Sequence, residues 1–264
     1  MHWLNSANGW FMFYNICFSP TGGTQKVADI LANECAGDKK VIDLTDRTRN
    51  FGGISLSGDD VALIAVPSYS GRVPAIAVKR IAAINGNGAK AVLVCVYGNR
   101  AYEDTLTELR DTATKAGFRV IASVAAVAEH SILRNFAQGR PDEADRKQLI
   151  EFAEQIRGKL LSGNATEPNI PGNRPYRKIS ATGMIPKATR ACTNCGLCAR
   201  KCPVGAIDGN DFHHIDREAC ISCMRCVAIC PQKARKVSPL MLFLGKMMLN
   251  KACSKRKENE LYLY

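Results

Sequence analysis

The first 160 residues alternate between short apolar runs and stretches with helical spacing. Val61–Val66 and Ala91–Val96 are continuous apolar runs, typical of strands buried on both faces. Lys26–Glu34 and Asp142–Leu161 place apolar residues at helical intervals instead. Alternation of the two patterns predicts a parallel sheet with helices packed on its faces.

The pattern predicts five strands in this region. The strands are Phe11–Phe18, Val41–Leu44, Val61–Val66, Ala91–Val96 and Arg119–Val127, and the helices are Lys26–Glu34, Pro74–Ile84, Glu103–Lys115 and Asp142–Leu161. Five strands with right-handed crossovers make a doubly wound α/β sheet. Such sheets bind ligands beyond the carboxyl ends of their strands, so the turns after strands one, three and four are candidate binding loops.

The turn after the first strand combines hydroxyl groups with glycines and leads into a helix. It reads Ser19-Pro20-Thr21-Gly22-Gly23-Thr24. Hydroxyls, closely approaching backbone and a helix N-terminus together form a cradle for a phosphate dianion. The loop has neither the Gly-Lys-Ser/Thr ending of a Walker loop nor the G-x-G-x-x-G spacing, which disfavours ATP and tightly bound NAD.

Eight of the twelve cysteines form two copies of the spacing C-x2-C-x2-C-x3-C-P. In the bacterial two-cluster arrangement, the fourth cysteine of each run ligates the other cluster. The predicted ligands of one [4Fe–4S] cluster are Cys192, Cys195, Cys198 and Cys230, and those of the second are Cys220, Cys223, Cys226 and Cys202. Zinc and disulfides are the alternatives, but zinc sites usually take paired C-x2-C knuckles and disulfides need no repeated spacing.

The other cysteines and one histidine have simpler explanations. Cys17 and Cys95 lie within apolar strands and are expected to be buried, inert thiols. Cys35 and Cys253 complete neither motif. His130 follows the fifth strand, where it is either a structural side chain or a proton relay.

Both halves of the chain resemble known electron carriers. Residues 188–237 resemble bacterial two-cluster ferredoxins, and Ser19–Thr24 matches the flavodoxin phosphate loop [ST]-x-T-G-x-T, whose ligand is the phosphate of FMN. Together they resemble fused flavodoxin–ferredoxin proteins found mainly in anaerobes, over nearly all of Phe11–Pro239. The resemblance implies a flavodoxin-like sheet in the order 2-1-3-4-5 and a smaller α+β ferredoxin-like domain.

The resemblance also implies three loops around FMN. Their expected contact residues are Ser19, Thr21, Gly22, Gly23 and Thr24 in the phosphate loop, Pro67, Ser68, Tyr69, Ser70, Gly71, Arg72 and Val73 after strand three, and Tyr97, Gly98, Asn99, Arg100, Tyr102 and Asp104 after strand four. Ser70 or Gly71 is expected near the flavin N5, and Tyr102 stacked on the ring. A tyrosine that only caps its strand end is the alternative for Tyr69 and Tyr102.

Two arginines depart from the flavodoxin pattern. Flavodoxins surround the flavin with carboxylates, whereas Arg72 and Arg100 fall in the expected ring loops of this chain. A cation near the flavin N1 stabilises the reduced anion and raises the potential. The alternative is that both arginines are solvated surface charges.

Composition divides the chain into four segments. Residues 9–162 form the flavodoxin-like domain, 163–187 a linker rich in Gly, Asn and Pro, 188–237 the ferredoxin-like domain, and 238–264 a C-terminal helix with a basic tail. The apolar run Leu240–Leu249 is too short to span a bilayer. It predicts a helix packed on the protein, with docking to a membrane surface or a partner as the alternative.

The formal net charge of +12 suggests an acidic redox protein as partner as readily as nucleic acid. No basic motif interleaved with aromatic residues indicates nucleic-acid binding, and no window predicts a transmembrane helix. Gly9–Phe18 is interpreted as a strand rather than a signal peptide. The abundant thiols indicate a reducing compartment, so we expect a cytoplasmic protein. The oligomeric state stays open, with a homodimer among the options.

Three functional hypotheses follow. The first is an electron carrier that passes electrons between FMN and two [4Fe–4S] clusters and on to a redox partner. The second is an FMN-dependent oxidoreductase acting on a quinone or a nicotinamide, in which the clusters carry electrons between the flavin and an external carrier. The third is a redox-sensing interaction module. No side chains form a catalytic triad or an acid–base pair, so no catalytic residue is predicted and enzymatic activity stays open.

Overall fold

The computed structural model describes residues 12–36, 38–179 and 184–264. The predicted start of the first strand at Phe11, the predicted domain start at residue 9 and residues 180–183 of the predicted linker lie outside this part of the chain.

The N-terminal domain is built on a sheet with the strand order β2-β1-β3-β4-β5-β8. Its strands are β1 Phe13–Cys17, β2 Lys39–Asp43, β3 Val61–Pro67, β4 Lys90–Tyr97, β5 Arg119–Val127 and β8 Glu260–Tyr262. The first five strands are parallel, which confirms the predicted flavodoxin-like order 2-1-3-4-5.

Four helices cover this sheet. They are α1 Gly23–Cys35, α2 Ala75–Ala82, α3 Thr105–Lys115 and α4 Glu143–Leu161. Helix α4 begins where the sequence predicts because Asp142 and Asp145 form a capping box, in which each carboxylate accepts a bond from the other residue's backbone N–H. Helix α1 begins three residues before the predicted Lys26, inside the glycine-containing loop.

The sheet is buried on both faces. Leu63 of β3 packs on one face with residues of α1 and α4, while its neighbour Ile64 packs on the other with residues of α2 and α3. This period-2 alternation explains why the central strands are continuous apolar runs. Each fully buried Leu or Ile contributes about 1.5–3 kcal/mol to stability.

The end of the chain returns to the N-terminal domain, which the sequence analysis did not predict. Strand β8 pairs antiparallel with β5, with Leu261 opposite Val124. Because β8 covers the edge of β5, it shields backbone groups that would otherwise be free to pair with another chain. The region predicted as a helix and basic tail therefore contains helix α7, Pro239–Cys253, followed by an edge strand.

The linker runs back along α3. Ile170 is buried beside that helix, and the Asp104 carboxylate accepts bonds from the backbone N–H groups of Asn173 and Arg177 at 2.8 and 2.7 Å. Arg174 adds an ion pair with Asp111 at 2.6 Å. The linker is thereby held along the N-terminal domain.

The cysteine-rich segment is a small unit packed against that domain. Its elements are β6 Lys187–Ala188, α5 Leu197–Arg200, α6 Arg225–Ala228 and β7 Arg235–Lys236. Arg80 of α2, which is buried, joins the two units, because its guanidinium donates to the carbonyls of Leu44 and Pro203 at 2.6 and 2.7 Å. Among the described residues, no helix has the length and apolar character needed to cross a membrane.

Candidate cofactor sites

A cavity of about 530 Å³ lies at the carboxyl ends of the central strands. The predicted contact residues that border it are Thr21, Gly23, Thr24, Pro67, Ser68, Tyr69, Ser70, Tyr97, Gly98 and Arg100. All three predicted loops therefore reach one site, as expected for a doubly wound sheet.

The loop before α1 has the geometry of an anion cradle. Gly22 has a left-handed φ of 91°, which turns the chain into the helix at Gly23. Ser19 and Gly22 do not border the cavity, but the Ser19 hydroxyl accepts the backbone N–H of Gln25 at 2.9 Å and so fixes the loop. The N–H groups of Gly23 and Thr24 at the start of α1 have no partner within the helix and are available to an anion, whereas that of Gln25 is taken by Ser19.

The loop after β3 is a tight turn. Tyr69 and Arg72 exchange backbone hydrogen bonds of 2.9 and 3.1 Å, and Ser70 and Gly71 between them have φ values of 53° and 79°. The Ser68 hydroxyl lies 2.8 Å from that of Thr105. The turn therefore presents Ser68, Tyr69 and Ser70 to the cavity in fixed positions.

The other residues of this turn point elsewhere. The Arg72 guanidinium forms a two-pronged ion pair with Glu108, with both distances 2.7 Å, and the N–H of Val73 donates to the same carboxylate at 2.8 Å. Gly71, Arg72 and Val73 do not border the cavity. Arg72 therefore does not lie where a cation beside the flavin ring was expected, because its guanidinium is paired with Glu108 of α3.

The loop after β4 also contains both residues that border the cavity and residues that face away from it. Tyr97, Gly98 and Arg100 border the cavity, and the Arg100 guanidinium is paired with Glu103 at 2.9 Å. Asn99 is buried and donates to the carbonyls of Cys253 and Lys255, both at 2.8 Å. Asn99 and Asp104 therefore hold the C-terminal segment and the linker instead of facing the cavity.

Tyr102 also has a position different from the predicted one. Its hydroxyl bonds to the carboxylate of Glu260 and the hydroxyl of Tyr262, both at 2.7 Å, beside β8. The ring lies 5.2 Å from that of Tyr97 and does not border the cavity. Strand β8, which the sequence analysis did not predict, supplies the hydrogen-bond partners that hold Tyr102 away from the cavity.

His130 forms part of the opposite wall. Its Nδ1 accepts the backbone N–H groups of Ile132 and Leu133, both at 3.2 Å, which leaves the ring proton on Nε2. Burial, helped by the positive charge of Arg100, lowers the pKa of His130 to about 4. The ring is therefore neutral and is a hydrogen-bond donor at the cavity wall.

Several other residues border the cavity. Pro20 lies in the predicted phosphate loop, Ala101 lies in the predicted loop after strand four, and Glu129 and Ser131 flank His130. The residues missed by the sequence analysis are Val96, Ala128, Ile132, Leu133, Arg177, Met184, Ile221, Ser222, Gly245, Met248 and Leu249. The last five come from the cysteine-rich segment and α7, which close the cavity from outside the N-terminal domain. The apolar run at Leu240–Leu249 was the one sequence signal for α7, the lid helix of this cavity.

The eight motif cysteines line two further cavities. Cys192, Cys195, Cys198 and Cys230 border the first cysteine cavity, and Cys202, Cys220, Cys223 and Cys226 border the second cysteine cavity. Each cavity thus takes three cysteines from one motif and the fourth from the other motif. All twelve cysteines of the chain are free thiols in the structure.

Burial distinguishes the two sets of thiols. Burial raises the pKa of Cys223 and of Cys226 to about 12 in the second set. In the first set, burial acts to raise the pKa of Cys230, but backbone N–H groups, led by that of Ala234, lower this pKa on balance. The Ala234 N–H lies 3.3 Å from the Cys230 sulfur.

Ile221 and Ser222 border both the large cavity and the second cysteine cavity. They lie between Cys220 and Cys223 in sequence, so one short stretch of backbone is the wall shared by the two sites. On the other side of this wall, burial and then the nearby Cys223 thiol raise the pKa of Tyr69. Occupants of the two cavities would be separated by little more than one layer of residues.

Comparisons with known proteins match two different parts of the chain. Residues 191–235 match the 4Fe-4S dicluster domain family. A component of the ion-translocating oxidoreductase complex of Methanosarcina acetivorans is 52% identical over 44 residues, which are 16% of this chain and 17% of that protein. This chain therefore covers only a small part of the curated relative.

Solved structures resemble the N-terminal half. Streptococcus pneumonia TIGR4 flavodoxin has 21% identity and a TM-score of 0.40, covering 56% of this chain and 99% of its own. Megasphaera elsdenii flavodoxin has 17% identity and a TM-score of 0.36, covering 55% and 99%.

The fold and the cysteine sites define the class of protein. The chain joins a domain with the flavodoxin strand order to a 4Fe-4S dicluster domain. The match at residues 191–235 agrees with the iron–sulfur segment predicted from the sequence.

Proposed function

We propose that this chain is an iron–sulfur flavoprotein that passes electrons between FMN and two [4Fe–4S] clusters and on to a redox protein. The wall shared at Ile221 and Ser222 carries the proposal, because it sets the large cavity directly against the second cysteine cavity. FMN can exchange electrons in pairs or singly, whereas each cluster exchanges one.

The residues of the large cavity fit FMN. Thr21, Thr24 and the first turn of α1 would hold the phosphate. Tyr69 and Gly98 would flank the ring, and the Nε2–H of His130 would offer a hydrogen bond at the cavity wall. Arg100 would place a cation at the cavity whose charge is partly neutralised by Glu103.

The cysteine cavities fit cubane clusters with crossed ligands. Cys230 stands with Cys192, Cys195 and Cys198, and Cys202 stands with the other set. Because the fourth ligand of each cluster comes from the other motif, neither half of the segment would hold its cluster alone.

An analysis of the anaerobically purified protein tests the proposal directly. We expect about eight iron, eight sulfide and one FMN per chain, given two cubanes and one flavin. Rapid mixing with a reduced ferredoxin should then bleach the flavin through the clusters. Protein that carries iron but no flavin, or flavin but no iron, would contradict the proposal.

The phosphate loop has its own test. Thr21→Ala combined with Thr24→Ala should weaken FMN retention and leave the iron content unchanged, because both residues border the large cavity and neither borders a cysteine cavity. Removing two hydrogen bonds to a charged group should cost about 3–6 kcal/mol of FMN binding free energy. Thr48→Ala, an exposed threonine outside the cavity, is the matched control. Unchanged FMN affinity would remove the assignment.

The crossed ligation is tested by Cys202→Ala. This change should damage the cluster held by Cys220, Cys223 and Cys226, although Cys202 is nearer in sequence to Cys198. Site-resolved paramagnetic spectra give the answer. Loss of the cluster at Cys192, Cys195 and Cys198 would show that ligation follows the sequence instead.

An acidic redox protein fits as the partner at the first cysteine cavity. Cys195 is exposed there, and the exposed side chains of Arg190, Arg200 and Lys233 flank the site. Charge reversal at Lys233 should slow electron exchange with an acidic ferredoxin at low salt more than at high salt.

The position of Tyr102 favours a second candidate function. Tyr102 does not border the cavity, whose lining includes Gly98, His130 and the apolar residues Leu133 and Leu249. Tyr102 would therefore not cover the ring face at which a small oxidant or reductant, such as a quinone or a nicotinamide, would react. Flavin bleaching on rapid mixing with NADH or NADPH would favour this oxidoreductase over the pure carrier.

A further inference from the structure

The two halves of the cysteine-rich segment differ at one buried position. The motifs repeat with an offset of 28 residues, so that Cys202-Pro203-Val204-Gly205-Ala206-Ile207 corresponds to Cys230-Pro231-Gln232-Lys233-Ala234-Arg235. Ile207 borders the second cysteine cavity and is 5% exposed. Arg235 borders the first cysteine cavity and is 2% exposed. A buried cation thus stands where the other half has an aliphatic side chain.

The guanidinium of Arg235 has few partners for a buried charge. One nitrogen, Nη2, lies 3.4 Å from the Cys198 sulfur and donates to the Phe212 carbonyl. Among the described residues, Nε and Nη1 have no hydrogen-bond partner, although both are buried. An unsatisfied buried donor destabilises the folded state, and a charged one more so, so native proteins usually supply an acceptor.

The proposed first cluster would supply those acceptors and the opposite charge. Thiolate and sulfide sulfurs carry negative charge, which increases when a cluster gains an electron. A cation a few ångströms away stabilises the reduced form more than the oxidised form, most strongly where water is excluded. Hydrogen bonds to the sulfurs act in the same direction.

We propose that Arg235 raises the reduction potential of the first cluster above that of the second, and so directs electrons outward from the flavin side. The inference rests on the proposed function. An electron that leaves the second cluster enters the first, with no proton and no other reactant. The second cavity shares a wall with the flavin cavity, whereas the first has the exposed Cys195, so the order of potentials matches the order in space.

The guanidinium also influences the second cysteine set. The expected effect is therefore a difference between the shifts of the two cluster potentials. Both cysteine sets lie in one small segment, so the charge of Arg235 reaches the second set too, although Arg235 borders only the first cavity. The nearest sulfur contact is still Cys198 of the first set. Removal of the charge should therefore lower both potentials, and that of the first cluster more.

The test is a redox titration of the holoprotein followed by paramagnetic spectroscopy. Contact-shifted cysteine resonances assign each potential to its own cysteines. In Arg235→Ile, which copies Ile207, the ratio of reduced to oxidised first cluster at fixed potential should fall at least tenfold, equal to about 59 mV for one electron. Arg235→Lys should lie between this variant and the unmodified protein.

The matched control is Arg200→Ile. Arg200 donates to the carbonyl of Cys195 at 3.1 Å but is exposed, so water screens its charge. This variant should shift the first potential much less than Arg235→Ile does.

Equal or reversed potentials in the unmodified protein would overturn the proposal even if Arg235→Ile fails to assemble its clusters. An unchanged first potential in an assembled Arg235→Ile protein would also overturn it. Protein that holds no clusters at all would contradict the proposed function instead, so the two failures are distinguishable.

Discussion

The side chains around the large cavity fall into two groups, those that border it and those that hold the bordering loops. Tyr69 and His130 belong to the first group, and Arg72 and Asn99 to the second. The second group is as important for the site as the first, because loops bind well only when their shape is fixed in advance.

Gly71 allows a test of this fixed shape. A Cβ added there would overlap the Glu103 carboxylate, and the φ of 79° already disfavours any L side chain. Gly71→Ala should therefore destabilise the protein by about 1–2 kcal/mol for the backbone, and displacement of the Glu103 carboxylate, the flexible end of its side chain, should add to this loss. It should also weaken FMN retention.

Gly88 is the matched control for this change. Its φ is 81°, but no described atom lies within 4 Å of an added Cβ. Gly88→Ala should show the backbone cost alone and normal FMN content in thermal unfolding and flavin assays. Equal losses in the two variants would contradict the role assigned to the Gly71 turn.

His130 predicts a pH dependence of stability. Because its folded-state pKa of about 4 lies below the ordinary value, the unfolded chain takes up a proton first as the pH falls. The stability associated with the neutral ring is complete above about pH 6.5 and decreases by about 1.4 kcal/mol per pH unit toward pH 4.

The variant His130→Asn removes this titration while its amide oxygen can still accept backbone N–H bonds. Chemical denaturation of both proteins at about pH 7.5 and 5.0 should show a steeper loss for the unmodified protein, by roughly 2 kcal/mol. Parallel pH profiles would show that His130 is not held neutral by the fold.

At the scale of elements, β8 is the least expected part of the sheet. Asn259, just before it, is buried and accepts the backbone N–H of Val127 at 2.8 Å while donating to Gln148 at 2.7 Å. These bonds set the end of β5 and join it to α4 through the C-terminal segment. The segment therefore supports the strand that leads directly to His130.

Replacement of Asn259 by leucine should leave the Val127 N–H unsatisfied. We expect a loss of about 1–3 kcal/mol in the free energy of unfolding. The exposed Asn164 provides the control, and Asn164→Leu should change stability by less than about 0.5 kcal/mol. Denaturant titration of both variants makes the comparison, and a neutral Asn259→Leu would show that β8 docks by other contacts.

The sequence predicted the elements whose information is local. The five parallel strands follow from apolar runs, and the cysteine grouping follows from a spacing repeated within 40 residues. The positions of Tyr102 and Arg72 could not be predicted, because Glu260 and Glu108 lie far from them along the chain. Likewise, the run at Leu240–Leu249 predicts a helix but contains no information about which cavity that helix covers.

At the scale of the whole molecule, Arg80 links the two domains. It bonds to a carbonyl on each side of their interface and packs over the Phe51 ring at 5.5 Å. Burial lowers the pKa of Arg80, but the two carbonyls satisfy its guanidinium. The wall at Ile221 and Ser222 depends on this alignment.

Arg80→Met should therefore slow electron transfer between the clusters and the flavin while both cofactors stay bound. The neighbouring Lys79 is exposed on the same helix, and Lys79→Met is the matched control. Laser-flash reduction followed at the flavin absorbance measures the rate. An unaltered rate in Arg80→Met would indicate that other contacts maintain the interface.

The residues that enclose the large cavity range from Pro20 to Leu249. During synthesis on a ribosome, the phosphate loop emerges before both cysteine motifs, and the lid helix emerges after them. A newly made N-terminal half would thus have a pocket open to the solvent on one side. Whatever molecule fills this space is covered by α7 only after the iron-binding segment has already been exposed.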